Sequence, residues 1–182
     1  QEEGATSLIS FGVSGALDSK LRPGDLVLPQ SVYNERLLPV SLAWRDRVQK
    51  CLPSNLRVIG GKLATSKKVL TSLNEKCNFA KITGASAVDL ESGSIAEVAE
   101  DSDIPFLAIR VISDPIEFSP PLALLDAVNP DGSANLSQII SLLLQRSVTL
   151  STLLRLGRDV RTARATLTTV AIHARIELGN PT

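Results

Sequence analysis

The stretch from Ser86 to Pro115 constrains the fold more than any other part of the chain. Ala87-Val88-Asp89-Leu90 reads as a short strand, with Glu91-Ser92 directly after it. Ile95, Val98 and Ala99 follow at helical spacing, and the turn Asp101-Ser102-Asp103 leads into an almost unbroken apolar run from Ile104 to Ile112. That order is a strand–helix–strand unit, and the apolar second strand suits a parallel sheet covered on both faces. Two acids, Glu91 and Asp114, fall where a strand gives out, as if at neighbouring strand ends. In open α/β sheets the ligand crevice lies outside those ends, which makes both acids candidates for chemistry. The plainer alternative is a helix cap or a solvated loop acid.

The remaining segments supply more strands and helices. Residues 8–11 read as a buried strand, and Gly12-Val13-Ser14-Gly15-Ala16-Leu17 as a small-residue turn whose amides can approach an anion or a sugar. Arg22-Pro23-Gly24-Asp25 is a turn feeding the strand Leu26-Val27-Leu28. Residues 32–38 form a polar-edged connection carrying the only tyrosine, Tyr33. An amphipathic helix is expected over 40–52, with Trp44 as a core residue rather than a platform for a base. One strand is expected from Leu56 through Gly61 toward Thr65, with Lys67 and Lys68 solvated and a helix over 69–78. Beyond Pro115 come a loop at Phe118-Ser119-Pro120-Pro121, a tight turn at Asn129-Pro130-Asp131-Gly132, and two helices over 136–150 and 153–177. The first has Leu136, Ile139, Ile140, Leu143 and Leu144 on one face. The second carries Arg155, Arg158, Arg161 and Arg164, a solvated face or a patch for anionic lipid headgroups.

Composition narrows the classes. With 182 residues and 43% apolar content the chain holds one sizeable core, and 1–182 is expected to be a single domain. Lys+Arg and Asp+Glu are both 19, so no global field points to nucleic acid. Cys51 and Cys77 are expected as reduced thiols, and with His173 the only histidine no multi-histidine metal site is available. No apolar run spans a bilayer and no secretory leader is legible, so a cytoplasmic protein is expected.

Four motifs together carry a family resemblance. They are Gly12-x-x-Gly15-x-Leu17, Pro23-Gly24-Asp25-Leu26-Val27, Val88-Asp89-Leu90-Glu91 and Ser113-Asp114. This set resembles the nucleoside phosphorylase/nucleosidase superfamily, and the Glu91-Ser92 pair and the C-terminal third look most like its hopanoid-associated phosphorylases. Leu90 stands where the family usually has Met, and Ser10 and Val13 stand where many purine nucleoside phosphorylases have a phosphate-gripping arginine and serine. The resemblance implies a three-layer α/β fold with a mixed central sheet flanked by helices. Family members carry a strand-rich segment before the point matching Leu8, and the chain, which opens on Gln1 and contains no Met, is expected to lack it.

The resemblance also implies the activity: cleavage of the N-glycosidic bond of an adenine nucleoside, with adenosylhopane as substrate, phosphate as co-substrate and no metal or organic cofactor. Asp114 is implied as the group that donates to purine N7, from partly buried, apolar surroundings. Glu91 is implied as the acceptor of the ribose hydroxyls. Leu90, Ser14, Gly15, Val69 and Ser113 are implied to line the substrate, with Val69 offering aliphatic contact where related nucleosidases stack an aromatic. A homo-oligomer is implied, with peripheral contact at the inner membrane surface if the nucleoside is lipid-linked. The alternatives are a phosphate-independent nucleosidase of the 5′-methylthioadenosine/S-adenosylhomocysteine type and a catalytically silent relative.

Overall fold

The computed structural model describes residues 4–118, 141–142, 145 and 148–179. At its centre is one eight-stranded mixed sheet in the order β4-β3-β6-β7-β1-β8-β2-β5. The strands are β1 (Leu8–Ala16), β2 (Leu26–Val27), β3 (Ser31–Asn34), β4 (Arg36–Pro39), β5 (Val58–Ile59), β6 (Lys62–Thr65), β7 (Ala87–Asp89) and β8 (Phe106–Asp114). Four helices accompany them: α1 (Leu42–Cys51), α2 (Leu73–Thr83), α3 (Ser92–Asp101) and α4 (Leu150–His173), with a 3₁₀ turn at Glu177–Gly179. Helix α3 packs on β1, β3 and β4, and α4 packs on β8, so the sheet is flanked by helices as expected.

The centre of the sheet departs from the expected strand–helix–strand unit. β7 and β8 are not neighbours, because β1 lies between them, parallel to β8 and antiparallel to β7. β1 itself does not turn at Gly12 but continues to Ala16, with a register shift between Ser14 and Gly15. The small residues there mark close approach of backbone and side chains across the sheet, the other meaning of glycine inside a strand. Gly15 pairs with Val88 on one side and Asp114 on the other. The ends of β7 and β8 are thereby brought together across β1.

Other expectations shift for local reasons. The polar connection at 32–38 is a hairpin, β3 on β4, reversing at Glu35 with a positive φ of 59°. The single strand expected over 56–65 is two: β5 pairs with β2 at one edge, while β6 lies between β3 and β7. The helix expected from Val69 begins at Leu73 instead. Ser72 caps it, its hydroxyl accepting the Glu75 N–H at 3.2 Å, and Gly84 closes it in the left-handed region at φ 64°. The loop expected beyond Phe118, the turn at 129–132 and the apolar face from Leu136 to Leu144 lie outside the described residues. Cys51 and Cys77 are free thiols.

The core gathers Leu26, Leu28, Val32, Leu63, Leu107, Ile109 and Ile112 from the sheet with Val48, Ala163 and Val170 from the helices. Trp44 on α1 is completely buried among them, and its indole N–H donates to the Glu177 carbonyl at 2.5 Å, tying α1 to the 3₁₀ turn. Replacing Trp44 by Ala removes a large buried side chain and is expected to cost about 3–5 kcal/mol. Trp44→Phe keeps most of the volume and loses the indole donor, for roughly 1–3 kcal/mol. Urea unfolding of the two variants checks this. A loss below roughly 1 kcal/mol for Trp44→Ala would remove it from the packed core.

Candidate active site

A cleft of about 270 Å³ opens where β1, β7 and β8 meet. Ser14, Gly15, Val69, Leu90, Glu91, Ser113 and Asp114, all seven residues singled out from the sequence, line it. Around them stand Val13, Lys68, Leu70, Lys76, Val88, Asp89 and Arg110.

Arg110 was not among the sequence candidates, and it organises one half of the cleft. It sits in the middle of β8, opposite Gly12 of β1, with its side chain 4% exposed. A Cβ at Gly12 would lie 2.5 Å from Arg110 Nη1, so only glycine leaves the guanidinium room. Arg110 Nε lies 2.8 Å from Asp89 Oδ2 and 3.2 Å from Ser92 Oγ. Nη1 donates to the Val13 carbonyl at 3.3 Å, and Nη2 donates to Ser10 Oγ and, at 3.3 Å, to Glu91 Oε2. Ser10 thus has a guanidinium beside it after all, delivered from the neighbouring strand.

The carboxylate that ends β7 is Asp89, not Glu91. Asp89 is buried, accepting from Thr65 Oγ1 at 2.9 Å and from the Ser92 hydroxyl and backbone N–H at the first turn of α3. Gly93 N–H donates to Thr65 Oγ1 at 2.7 Å, so two of the otherwise unpaired amides at this helix start are satisfied. Glu91 occupies the N-cap position of α3, yet its side chain makes no cap bond and is 72% exposed. It faces the cleft, pairs there with Arg110 and has acceptor capacity left.

The other half is built on Asp114, the last residue of β8. Its expected apolar surroundings are not what the structure shows. Lys76, from α2, is only 1% exposed, and its ammonium donates to Asp114 Oδ2 at 2.7 Å and to the Pro115 and Phe118 carbonyls, each at 3.1 Å. Ser113 Oγ lies 3.1 Å from Asp114 Oδ1. Gly15 backs onto this carboxylate: a Cβ there would lie 3.0 Å from Asp114 Oδ2 and push it aside. Nothing in the spacing pointed to Lys76, because a lone lysine on a helix reads as solvated.

Ser14 Oγ is buried and without a hydrogen-bond partner, alone in this among the described residues. It lines the cleft, where a bound molecule would satisfy it. Val69 and Leu70, in the loop before α2, and Val88 and Leu90 make an aliphatic wall. Lys68 at the rim pairs with Glu75 at 2.6 Å, and that ammonium holds the Glu75 carboxyl down to about 2. Among the described residues no group of three His, Cys, Asp or Glu side chains is placed to hold a metal ion. No described helix is long and apolar enough to cross a membrane.

The arginines of α4 lie away from the cleft. Arg158, Arg161 and Arg164 are exposed. Arg155 stacks 4.5 Å above the Phe118 ring, and both Arg155 and Arg158 reach Asp159.

Comparison with known proteins meets this geometry at the level of family and fold. The model of the Phosphorylase superfamily matches residues 2–145. The 5′-methylthioadenosine/S-adenosylhomocysteine nucleosidase of Mycobacterium bovis is 26% identical, the match covering 61% of this chain and 60% of the relative. The chain thus spans about 60% of the length of the curated relatives it matches. Solved structures of the same nucleosidase from Colwellia psychrerythraea and Helicobacter pylori share the fold. The first has a TM-score of 0.66 at 16% identity, over 96% of this chain and 68% of that one. The second has a TM-score of 0.62 at 17% identity, over 92% and 68%. With its sheet order, its paired acids and a family match over most of its length, the chain belongs to the Phosphorylase superfamily.

Proposed function

We propose that the cleft hydrolyses the N-glycosidic bond of an adenine nucleoside of the 5′-methylthioadenosine or S-adenosylhomocysteine type, with water as nucleophile. The observation that carries the choice of water is the state of Arg110. Of a guanidinium's five N–H donors, the one on Nε, one on Nη1 and two on Nη2 already meet acceptors of the protein. Asp89 and Glu91 also balance its charge. A phosphate dianion would find one donor free there, a poor match to the bidentate recognition that arginine ordinarily gives. Water needs only a polar contact or two. The curated relatives at 26% identity, which are nucleosidases by name, support the same reading.

Each residue then has a role. The bond breaks through an oxocarbenium-like sugar, so the leaving base must be made neutral and the sugar held firmly. Asp114 serves purine N7, the site at which a proton neutralises the departing base. Glu91 accepts from the ribose hydroxyls and holds the ring in a reactive pose. Ser14 Oγ, unpaired without ligand, bonds to the sugar or to the attacking water beside Gly15. Val69 and Leu90 pack on the base and on the substituent at the sugar's 5′ carbon, and Ser113 steadies Asp114.

A second reading is phosphorolysis, favoured by the free Nη1 donor and by Lys68 at the rim. A hopanoid-linked nucleoside as substrate rests on the Glu91-Ser92 pair and on the C-terminal third, with the α4 arginines as its membrane contact. Homo-oligomerisation belongs to the same set of proposals.

Product analysis separates these readings. Turnover of 5′-methylthioadenosine is expected to yield adenine and a free sugar at a rate independent of phosphate. A sugar 1-phosphate and a rate that rises with phosphate would replace hydrolysis by phosphorolysis, and no adenine at all would make the chain silent. Asp114→Asn is expected to lower adenine release on the order of 100-fold or more, since an amide has no proton to deliver. A parental rate in that variant removes Asp114 from the chemistry. Glu91→Gln is expected to cost roughly 10- to 100-fold in kcat/KM on ribosides and much less on the 2′-deoxy analogues, which lack one of the partners. Equal losses on both sugars would show that Glu91 does not read the ribose hydroxyls.

A further inference from the structure

Lys76 is a buried ammonium inside a substrate cleft, and the mechanism above gives it no task. Among the described residues only Lys76 and Arg110 are buried cations, and Arg110 is accounted for by Asp89, Ser10, Ser92 and Glu91. Lys76 has three N–H donors and three acceptors: the Asp114 carboxylate at 2.7 Å and the carbonyls of Pro115 and Phe118 at 3.1 Å. Burying a lysine among apolar residues is costly, and a structural strut between α2 and the end of β8 needs no charge. What a charge adds is a proton, held against the carboxylate that faces the base.

We infer that Lys76 is the proton reservoir for Asp114, a positioning residue that supplies the base-leaving step through that carboxylate. The inference rests on the nucleosidase reading of the cleft. As the C–N bond breaks, its electron pair goes to the purine, and N7 takes a proton from Asp114. Asp114 takes that proton from Lys76 Nζ, leaving a neutral amine. The two N–H groups that remain stay on the Pro115 and Phe118 carbonyls, and while Asp114 carries the proton its O–H donates to the amine lone pair. The water that captures the sugar cation gives up a proton, which restores the ammonium. Nucleoside and water become adenine and sugar, with every proton accounted for.

The alternative, that Lys76 merely props the end of β8, makes different predictions. In Lys76→Met the adenine nucleoside is expected to lose on the order of 100-fold in kcat, as for loss of a general acid, with KM changed far less. The same variant is expected to cleave p-nitrophenyl β-D-ribofuranoside near the parental rate, because that leaving group needs no proton. This activity also reports that the variant is folded. In Lys76→Met, Asp114 must draw its proton from solvent. The groups facing Lys76 are Asp114 and two carbonyls; the cleft's other ionisable groups, Lys68, Asp89, Glu91 and Arg110, are unchanged in the variant.

Lys76→Gln repeats the measurements with a side chain that keeps hydrogen bonds and lacks the proton. Equal losses on both substrates, or a parental rate on the adenine nucleoside, would overturn the proposal. A parent that releases no adenine from any adenine nucleoside sinks the nucleosidase reading instead, before the variants are compared.

Discussion

The buried pair between Arg110 and Asp89 is the interaction on which the rest of the site depends. Both side chains are almost wholly out of water, at 4% and 3% exposure, and their closest atoms are 2.8 Å apart. Such a pair is stable only when the remaining donors and lone pairs are also met, because desolvating two charges costs several kcal/mol per ion. Here they are met from four elements. Ser10 and Val13 come from β1, Thr65 from β6, Ser92 from the first turn of α3, and Glu91 from the link between β7 and α3. The pair therefore fixes the register of β1 on β8 and the take-off of α3 from β7. Glycine at position 12 is the steric condition for it. Removing either partner would leave an uncompensated charge in the core, which is far costlier than losing a surface bridge.

A second ion pair, Lys76 with Asp114, stands across the cleft from the first, and the contrast between them is chemical. Arginine does not give up its proton in a protein, so the Arg110–Asp89 pair is a fixed scaffold. Lysine is a compact donor whose proton can move, so the same geometry around Lys76 is a site where a proton can be passed. Between the two pairs lie the unpaired Ser14 hydroxyl and the exposed Glu91 carboxylate, the groups with hydrogen-bonding capacity still to spare. A polar ligand entering here meets its free partners on one side and the proton source on the other.

How much of this could be read in the sequence follows the same division. The strands around Ala87–Asp89 and Phe106–Asp114 were legible because apolar runs and turn residues are local signals. The start of α2 was legible too, in Ser72-x-x-Glu75, though the apolar pair Val69-Leu70 drew the expected start four residues early. The place of β1 between β7 and β8 was not legible, since pairing across nearly a hundred residues leaves no mark on spacing. The glycines at 12 and 15 read as a turn because a sequence shows flexibility there, and not the guanidinium and carboxylate that need the space. Arg110 was hidden for the opposite reason: one charge in a run of six buried neighbours passes for an edge position until its partners are seen.

The residues at 10 and 13 show why replacing a binding residue does not by itself remove a function. Ser10 and Val13 lack the charge and the hydroxyl that many phosphorylases place there, and at the level of the sequence that is a loss. In the folded chain Ser10 Oγ accepts from Arg110, and Val13 offers its carbonyl to the same guanidinium. The cation reaches the place by another route, but it arrives already engaged. A free arginine at position 10 would point its fork at an incoming anion, whereas this one spends its donors on holding β1, β8 and α3 together. The difference between recruiting phosphate and tolerating water then lies less in which charges line the cleft than in how many of their hydrogen bonds the fold has already used.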